Sequence, residues 1–280
     1  GAHMELFSVD GLSKQPLETI AARIAQLGFN CVRLPFSLQL LRDDPLVPDL
    51  ALAANPELRG IRGVELFDRT VAALTDVGLM VILNNHNSAA GWCCSGDSPE
   101  GIWHTDEYPI GVWYDSISHM ASRFRANTLV VAFDIRNEIH DVGPVKLTWG
   151  TSDDERVDWR VASTKAAALM QTANPSMLVI VTGMCYGLDL RAMRRRPPDV
   201  PRADKLVFTS HTYDFSLWWN VAKFQLRLPG RDGKRGGEGA WYRFAPRALA
   251  AGLVAMGAGA VAVGAWGAGA CGCGAGGAGG

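Results

Sequence analysis

The sequence predicts an α/β fold, a (β/α)8 TIM barrel of parallel strands wrapped by helices. Helical and strand-like segments alternate from residue 16 to residue 210. The strand segments are short, continuous and apolar, as parallel strands covered on both faces should be. Polar residues that such strands would not otherwise carry collect at or near their C-terminal ends, where the loops of a barrel converge on the active-site face. A doubly wound sheet is the competing architecture. No Gly-rich fingerprint follows the first strand, which counts against a dinucleotide-binding sheet.

The elements follow in order. Residues 16–27 place Leu17, Ile20, Ile24 and Leu27 at helical spacing, with Pro16 in the first turn and Gly28 as the stop. Asn30 to Phe36 reads as a buried strand containing one Arg, Arg33. Residues 62–77 form a second amphipathic helix, closed by Gly78. Leu79 to Leu83 is the next strand and runs out into Asn84-Asn85-His86-Asn87. Residues 112–126 are helical, Leu129 to Asp134 is a strand, and residues 157–173 are helical ahead of Asn174-Pro175. Met177 to Thr182 and Leu206 to Ser210 complete five staves.

With 280 residues, 48% of them hydrophobic, the chain can bury a large core. A net charge of -1 gives no footprint for nucleic acid or an anionic membrane. Nine Trp fit either core packing or a carbohydrate site. Six Cys, two of them adjacent (Cys93 and Cys94), make no zinc signature and no disulfide scaffold at this length; one or two bridges or free thiols are the readings they leave. His104, His119 and His140 show no ligand spacing, so no metal and no cofactor is expected. The chain starts at Gly1 with no visible signal peptide, as after a cut, a tag or an incomplete gene model.

The stretch VAFDIRNEIH (131–140) concentrates the chemistry. An apolar strand ends in Arg136, Asn137 and Glu138. Glu138 is either a surface carboxylate, paired with Arg136 for example, or an acid beside an amide: Asn137 donates to a sugar hydroxyl while Glu138 transfers the proton that a glycosidic bond needs. Arg33, costly to bury alone, forms a structural ion pair or holds a catalytic carboxylate ionised. His86 is a loop histidine or a substrate contact. His211 and Tyr213 are two residues apart and share a strand face, so both can point at one ligand.

From about Gly236 the chain turns to Gly and Ala, and its last charged residue is Arg247. A membrane-spanning segment, a disordered tail and an out-of-frame translation of GC-rich DNA are the competing readings, with the abrupt shift in composition favouring the last and membrane insertion favoured least. The expected organisation is a partial barrel over residues 1–222 and an atypical tail over 223–280.

Four segments, GLSKQPLETIAARIAQLGFNCVRLPFSL, VILNNHNSAAGWCCS, DIRNEIH and KLVFTSHTYDF, resemble glycoside hydrolase family 5, the cellulase-like family, over about residues 5–220. The closest resemblance is to plant and microbial members with a WCCS segment after the third strand. The resemblance implies a (β/α)8 barrel and a retaining glycoside hydrolase, secreted, acting on a β-linked polysaccharide such as β-1,4-glucan. It implies Glu138 as acid/base and Arg33, His86, Asn137, His211 and Tyr213 as substrate-binding residues. The family's nucleophile is a second Glu after strand seven. Glu238, in KRGGEGAW, is the only Glu after Tyr213, and basic and Gly residues precede it rather than an apolar strand. On this reading strand one precedes residue 1 and strands seven and eight are missing or scrambled. A catalytically inactive carbohydrate-binding barrel is the alternative function.

Overall fold

The computed structural model describes residues 7–91 and 98–211, which belong to one compact unit. Tyr213, Glu238, the expected boundary at residue 222 and the tail lie outside the described residues.

Five parallel strands form one sheet: β1 (Cys31–Ser37), β2 (Met80–Asn87), β3 (Val130–Asp134), β4 (Leu178–Thr182) and β5 (Leu206–Thr209). Their spatial order is their chain order, and every neighbouring pair is parallel. The order never reverses, so the sheet has no switch point of the doubly wound kind. It advances one stave at a time, as a barrel wall does. Helix α1 (Leu17–Gln26) precedes β1; α2 (Leu38–Asp43), α3 (Gly63–Asp76), α4 (Ile110–Arg123), α5 (Trp159–Ala173) and the short α6 (Arg191–Arg195) lie between the strands.

Two features differ from the sequence expectation. First, β2 does not end at Leu83 but continues through Asn84-Asn85-His86-Asn87. Its backbone still pairs with β1 there, Phe36 opposite Asn85, so polar side chains occupy the last turns of a true strand. Second, α2 follows β1 without a break. Ser37 caps it, its hydroxyl accepting from Leu40 N–H at 3.1 Å, and six residues are too few to show helical periodicity in sequence.

The core lies between sheet and helices. Leu34, Leu83, Phe133 and Val179 stand opposite one another in one row across β1 to β4 and are buried. Trp103, Trp113 and Trp159 are fully buried and pack ring on ring, with centroids 4.8–6.1 Å apart. Their indole N–H groups donate to Glu155, Ile135 and Thr182 carbonyls at 2.9–3.0 Å. Buried Trp needs such partners, and two of these carbonyls sit at the C-terminal ends of β3 and β4. The described tryptophans of this trio therefore serve the core, and they also fix the strand ends that present the site. Asp158 caps α5 with a carboxylate that gathers the N–H groups of Gly150, Thr151, Ser152 and Val161.

Cys31 carries a free thiol and Cys185 is disulfide-bonded. No helix among the described residues is long and apolar enough to cross a membrane.

Candidate active site

Arg33 within β1, His86 near the end of β2, Asn137 and Glu138 just past β3 and His211 just past β5 come together. Arg33 projects from β1 across β2 to Asp134, the last residue of β3. Its Nε and Nη2 donate to Asp134 Oδ2 at 2.8 and 2.6 Å. Nη2 also donates to Asn137 Oδ1 at 2.9 Å. The Asp134 side chain is 2% exposed and Arg33 is 32% exposed, so the pair reaches from the core to the mouth. Arg33 thus makes a structural ion pair and also orients the Asn137 amide. With its oxygen on Arg33, the amide turns its NH2 toward His86 Nε2, 3.5 Å away.

His86 is held from the other side as well. Its Nδ1 lies 2.8 Å from Asn84 Oδ1, an atom that can only accept, so Nδ1 carries the proton and Nε2 is the acceptor. Burial, then the charges of Arg33 and Arg136, push its pKa down to about 3. The ring is neutral at any pH at which the protein is expected to work.

Arg136 overturns one sequence reading. It is fully buried and pairs with Glu100, not with Glu138. Its Nη2 donates to Glu100 Oε2 at 2.8 Å and to the carbonyls of Glu100 and Ile102 at 3.0 and 2.7 Å, while Nη1 donates to Asn85 Oδ1 at 3.1 Å. Glu100 in turn accepts from the N–H groups of Ser88 and Ala89 at 2.5 and 2.9 Å. One buried ion pair therefore fastens the loop around residue 100 to the ends of β2 and β3, just below Asn137 and Glu138.

Glu138 is not a surface carboxylate: it is 6% exposed. Its backbone has φ +36°, in the left-handed region that costs a side chain ~1–2 kcal/mol. His211, just past β5, sets its Nδ1 2.8 Å from Glu138 Oε1. A buried carboxyl beside an imidazole, next to an amide clamped by an Arg and a neutral His, is equipped to hold a polar substrate and pass it a proton.

Sequence reasoning missed Asp134, Asn84, Glu100 and His140. Asp134 stood inside the quoted stretch, and Arg33's need for a carboxylate was the signal for it. Glu100 sits in a loop with no pattern to mark it. Among the described residues, no group of three or more His, Cys, Asp or Glu is placed to hold a metal.

The profile of the family "Cellulase (glycosyl hydrolase family 5)" matches residues 2–271. A "Glycosyl hydrolase 5 family protein" of Chamaecyparis obtusa is 32% identical over 235 residues, covering 78% of this chain and 40% of the relative. An endoglucanase of Paenibacillus polymyxa is 25% identical and covers 80% of this chain and 57% of the relative. The chain thus spans about half the length of the curated relatives it matches. Among solved structures, a hyperthermophilic endocellulase from the archaeon Pyrococcus horikoshii superposes with a TM-score of 0.69 at 25% identity, covering 82% of this chain and 68% of that one. These neighbours are (β/α)8 barrels, and the described strands are consecutive staves of that fold.

Proposed function

Because the chain belongs to glycosyl hydrolase family 5, we propose that it is a retaining glycoside hydrolase that cleaves a β-linked polysaccharide such as β-1,4-glucan. Glu138 is its acid/base. The observation that carries this reading is the buried Glu138 carboxyl just past β3, hydrogen-bonded to His211 and flanked by a clamped amide. Endoglucanases of Paenibacillus polymyxa and Xanthomonas campestris among the relatives support the substrate class.

In this mechanism Glu138 protonates the departing glycosidic oxygen and then, as a carboxylate, takes a proton from the attacking water. When Glu138 is ionised, His211 Nδ1–H donates to it. Asn137, its oxygen held by Arg33 and its NH2 3.5 Å from His86 Nε2, is the amide beside the acid that would meet a sugar hydroxyl. His211 and Tyr213 complete the substrate contacts. A retaining reaction also needs a carboxylate about 5–5.5 Å from the acid, and Glu238 is the one Glu that the sequence offers after Tyr213. The Xanthomonas relative is described as a major extracellular endoglucanase, and secretion is the proposed localisation.

The setting of Glu238, without an apolar strand before it, favours a second reading: a barrel that binds carbohydrate without cleaving it. Reducing-sugar release from β-1,4-glucan, with ¹H NMR of the first-formed anomer, separates the two. Release of the β-anomer, abolished in Glu138→Gln, is the expected result. Binding of cellotetraose without any release would establish the alternative.

A further inference from the structure

Glu138 holds a left-handed backbone, and something must keep it there. Its carbonyl oxygen accepts from His140 Nδ1 at 2.8 Å. A carbonyl only accepts, so Nδ1 carries the proton of this ring. The His140 main-chain N–H donates to Gly101 O at 2.8 Å. A Cβ on Gly101 would stand 2.5 Å from His140 Nε2, so the loop backbone lies directly against the ring. On its other side the ring stacks on Tyr186, with centroids 3.8 Å apart and planes 14° from parallel.

Tyr186 belongs to the turn Met184–Gly187 that follows β4. Cys185, Tyr186 and Gly187 in succession have φ +54°, +61° and +80°. This turn holds the residues around Glu138 in two places. The Tyr186 N–H donates to Ile139 O at 2.8 Å, and Gly187 O accepts from the His211 N–H at 3.1 Å. His211 Nδ1 then returns to Glu138 Oε1. The contacts close a circuit: Glu138 backbone, His140, Tyr186, Gly187, His211, Glu138 carboxyl.

We infer that His140 is a positioning residue for Glu138: through Nδ1–H and its stack on Tyr186 it locks the Glu138 backbone to the turn that seats His211. The inference rests on the hydrolase reading for its kinetic consequence. His140 is 3% exposed, and its Nε2 meets no hydrogen-bonding partner among the described residues. A buried acceptor left without a partner costs stability. A side chain placed there for packing alone would carry no such atom. What the ring adds over an apolar one is the Nδ1 bond to Glu138.

The test compares His140→Leu, which removes the donor, with His140→Asn, whose amide NH2 falls near the Nδ1 position. Turnover of β-1,4-glucan and crystal structures are read for both. In His140→Leu, kcat should fall ~10–100-fold with KM changed less than about 2-fold, as misplacement of a reacting group does. In its structure Glu138 should leave the left-handed region and part from His211. His140→Asn should keep Glu138 in place and retain kcat within about 5-fold. Wild-type kcat in His140→Leu, equal losses in the two variants, or an unmoved Glu138 in His140→Leu would overturn the inference. Should His140→Leu fail to fold, a displaced Glu138 in His140→Asn would overturn it, and a retained one would support it. If the unsubstituted protein hydrolyses no glucan, the hydrolase reading fails by itself, and the structures still decide the positioning.

Discussion

Breaking the Glu100–Arg136 pair should reveal how strongly the floor of the site is held. The two side chains are 8% and 0% exposed, so solvent screens the pair little. Burial pushes the Arg136 guanidinium down from its ordinary pKa, and Glu100 opposes that shift. Removing one partner of such a pair typically costs ~3–5 kcal/mol. The two removals are not equivalent. Glu100→Gln leaves Arg136 with three further acceptors, Asn85 Oδ1 and the Glu100 and Ile102 carbonyls. Its cost should sit near ~3 kcal/mol. Arg136→Met leaves a buried carboxylate held only by the N–H groups of Ser88 and Ala89, and it deprives the three acceptors of their donor. Each orphaned buried acceptor adds ~1–3 kcal/mol, so this variant should lose ~5 kcal/mol or more. The double variant should cost less than the sum of the singles by ~2–3 kcal/mol, because each single change strands what the other removes. Urea unfolding followed by Trp fluorescence measures all four states. Losses that add within about 0.5 kcal/mol, or a Glu100→Gln cost above that of Arg136→Met, would refute the reasoning.

Acid should destabilise the protein through His86. Its folded pKa of about 3 lies below the unfolded value near 6.5, so below pH 6.5 the unfolded chain binds a proton that the native state does not. Stability is therefore lost as pH falls from about 6.5 toward 3, and the drop between pH 7 and pH 4.5 should shrink by ~2.5 kcal/mol in His86→Gln; an equal drop in both proteins would contradict the assignment. Gly187→Ala and Gly60→Ala share a left-handed backbone, φ +80° and +78°, but only at Gly187 would a Cβ meet neighbours, His211 N at 3.1 Å and Thr182 Oγ1 at 3.2 Å. Thermal unfolding should show ~1 kcal/mol lost at Gly60 and at least ~1 kcal/mol more at Gly187, and equal losses would refute the crowding. Asp158→Ala should cost ~3 kcal/mol, since the carboxylate also accepts from Thr148 Oγ1 at 2.8 Å; faster hydrogen exchange confined to about residues 148–161 is the signature to look for.

Much of this fold was readable because parallel strands buried on both faces are written as uninterrupted apolar runs. All five strands begin within a residue of their expected starts. The end of β2 was not readable, because Asn84 to Asn87 look like a loop until neighbouring strands supply their hydrogen bonds. The site divides in the same way. His86, Asn137, Glu138 and His211 stood out as polar residues following apolar runs and Arg33 as a charge inside one, and the fold brings them together. Their partners were hidden by distance along the chain. Asp134 is 101 residues from Arg33, and Glu100 is 36 from Arg136. Proximity in sequence suggested Glu138 for Arg136, and burial of both side chains in separate networks decided otherwise. His140 was weighed only as a metal ligand, since nothing in its spacing shows which carbonyl its Nδ1 would find.

The central claim is that Glu138 is the proton donor to the leaving group. The most direct test is the rate of Glu138→Gln on aryl β-glycosides of graded leaving-group acidity. A leaving group that needs no proton should escape the defect. The account predicts a loss of ~100–10,000-fold on β-1,4-glucan, and formation of the glycosyl-enzyme near the wild-type rate on a dinitrophenyl glycoside. An equal loss on every leaving group, or glucan hydrolysis unaffected by the substitution, would contradict it.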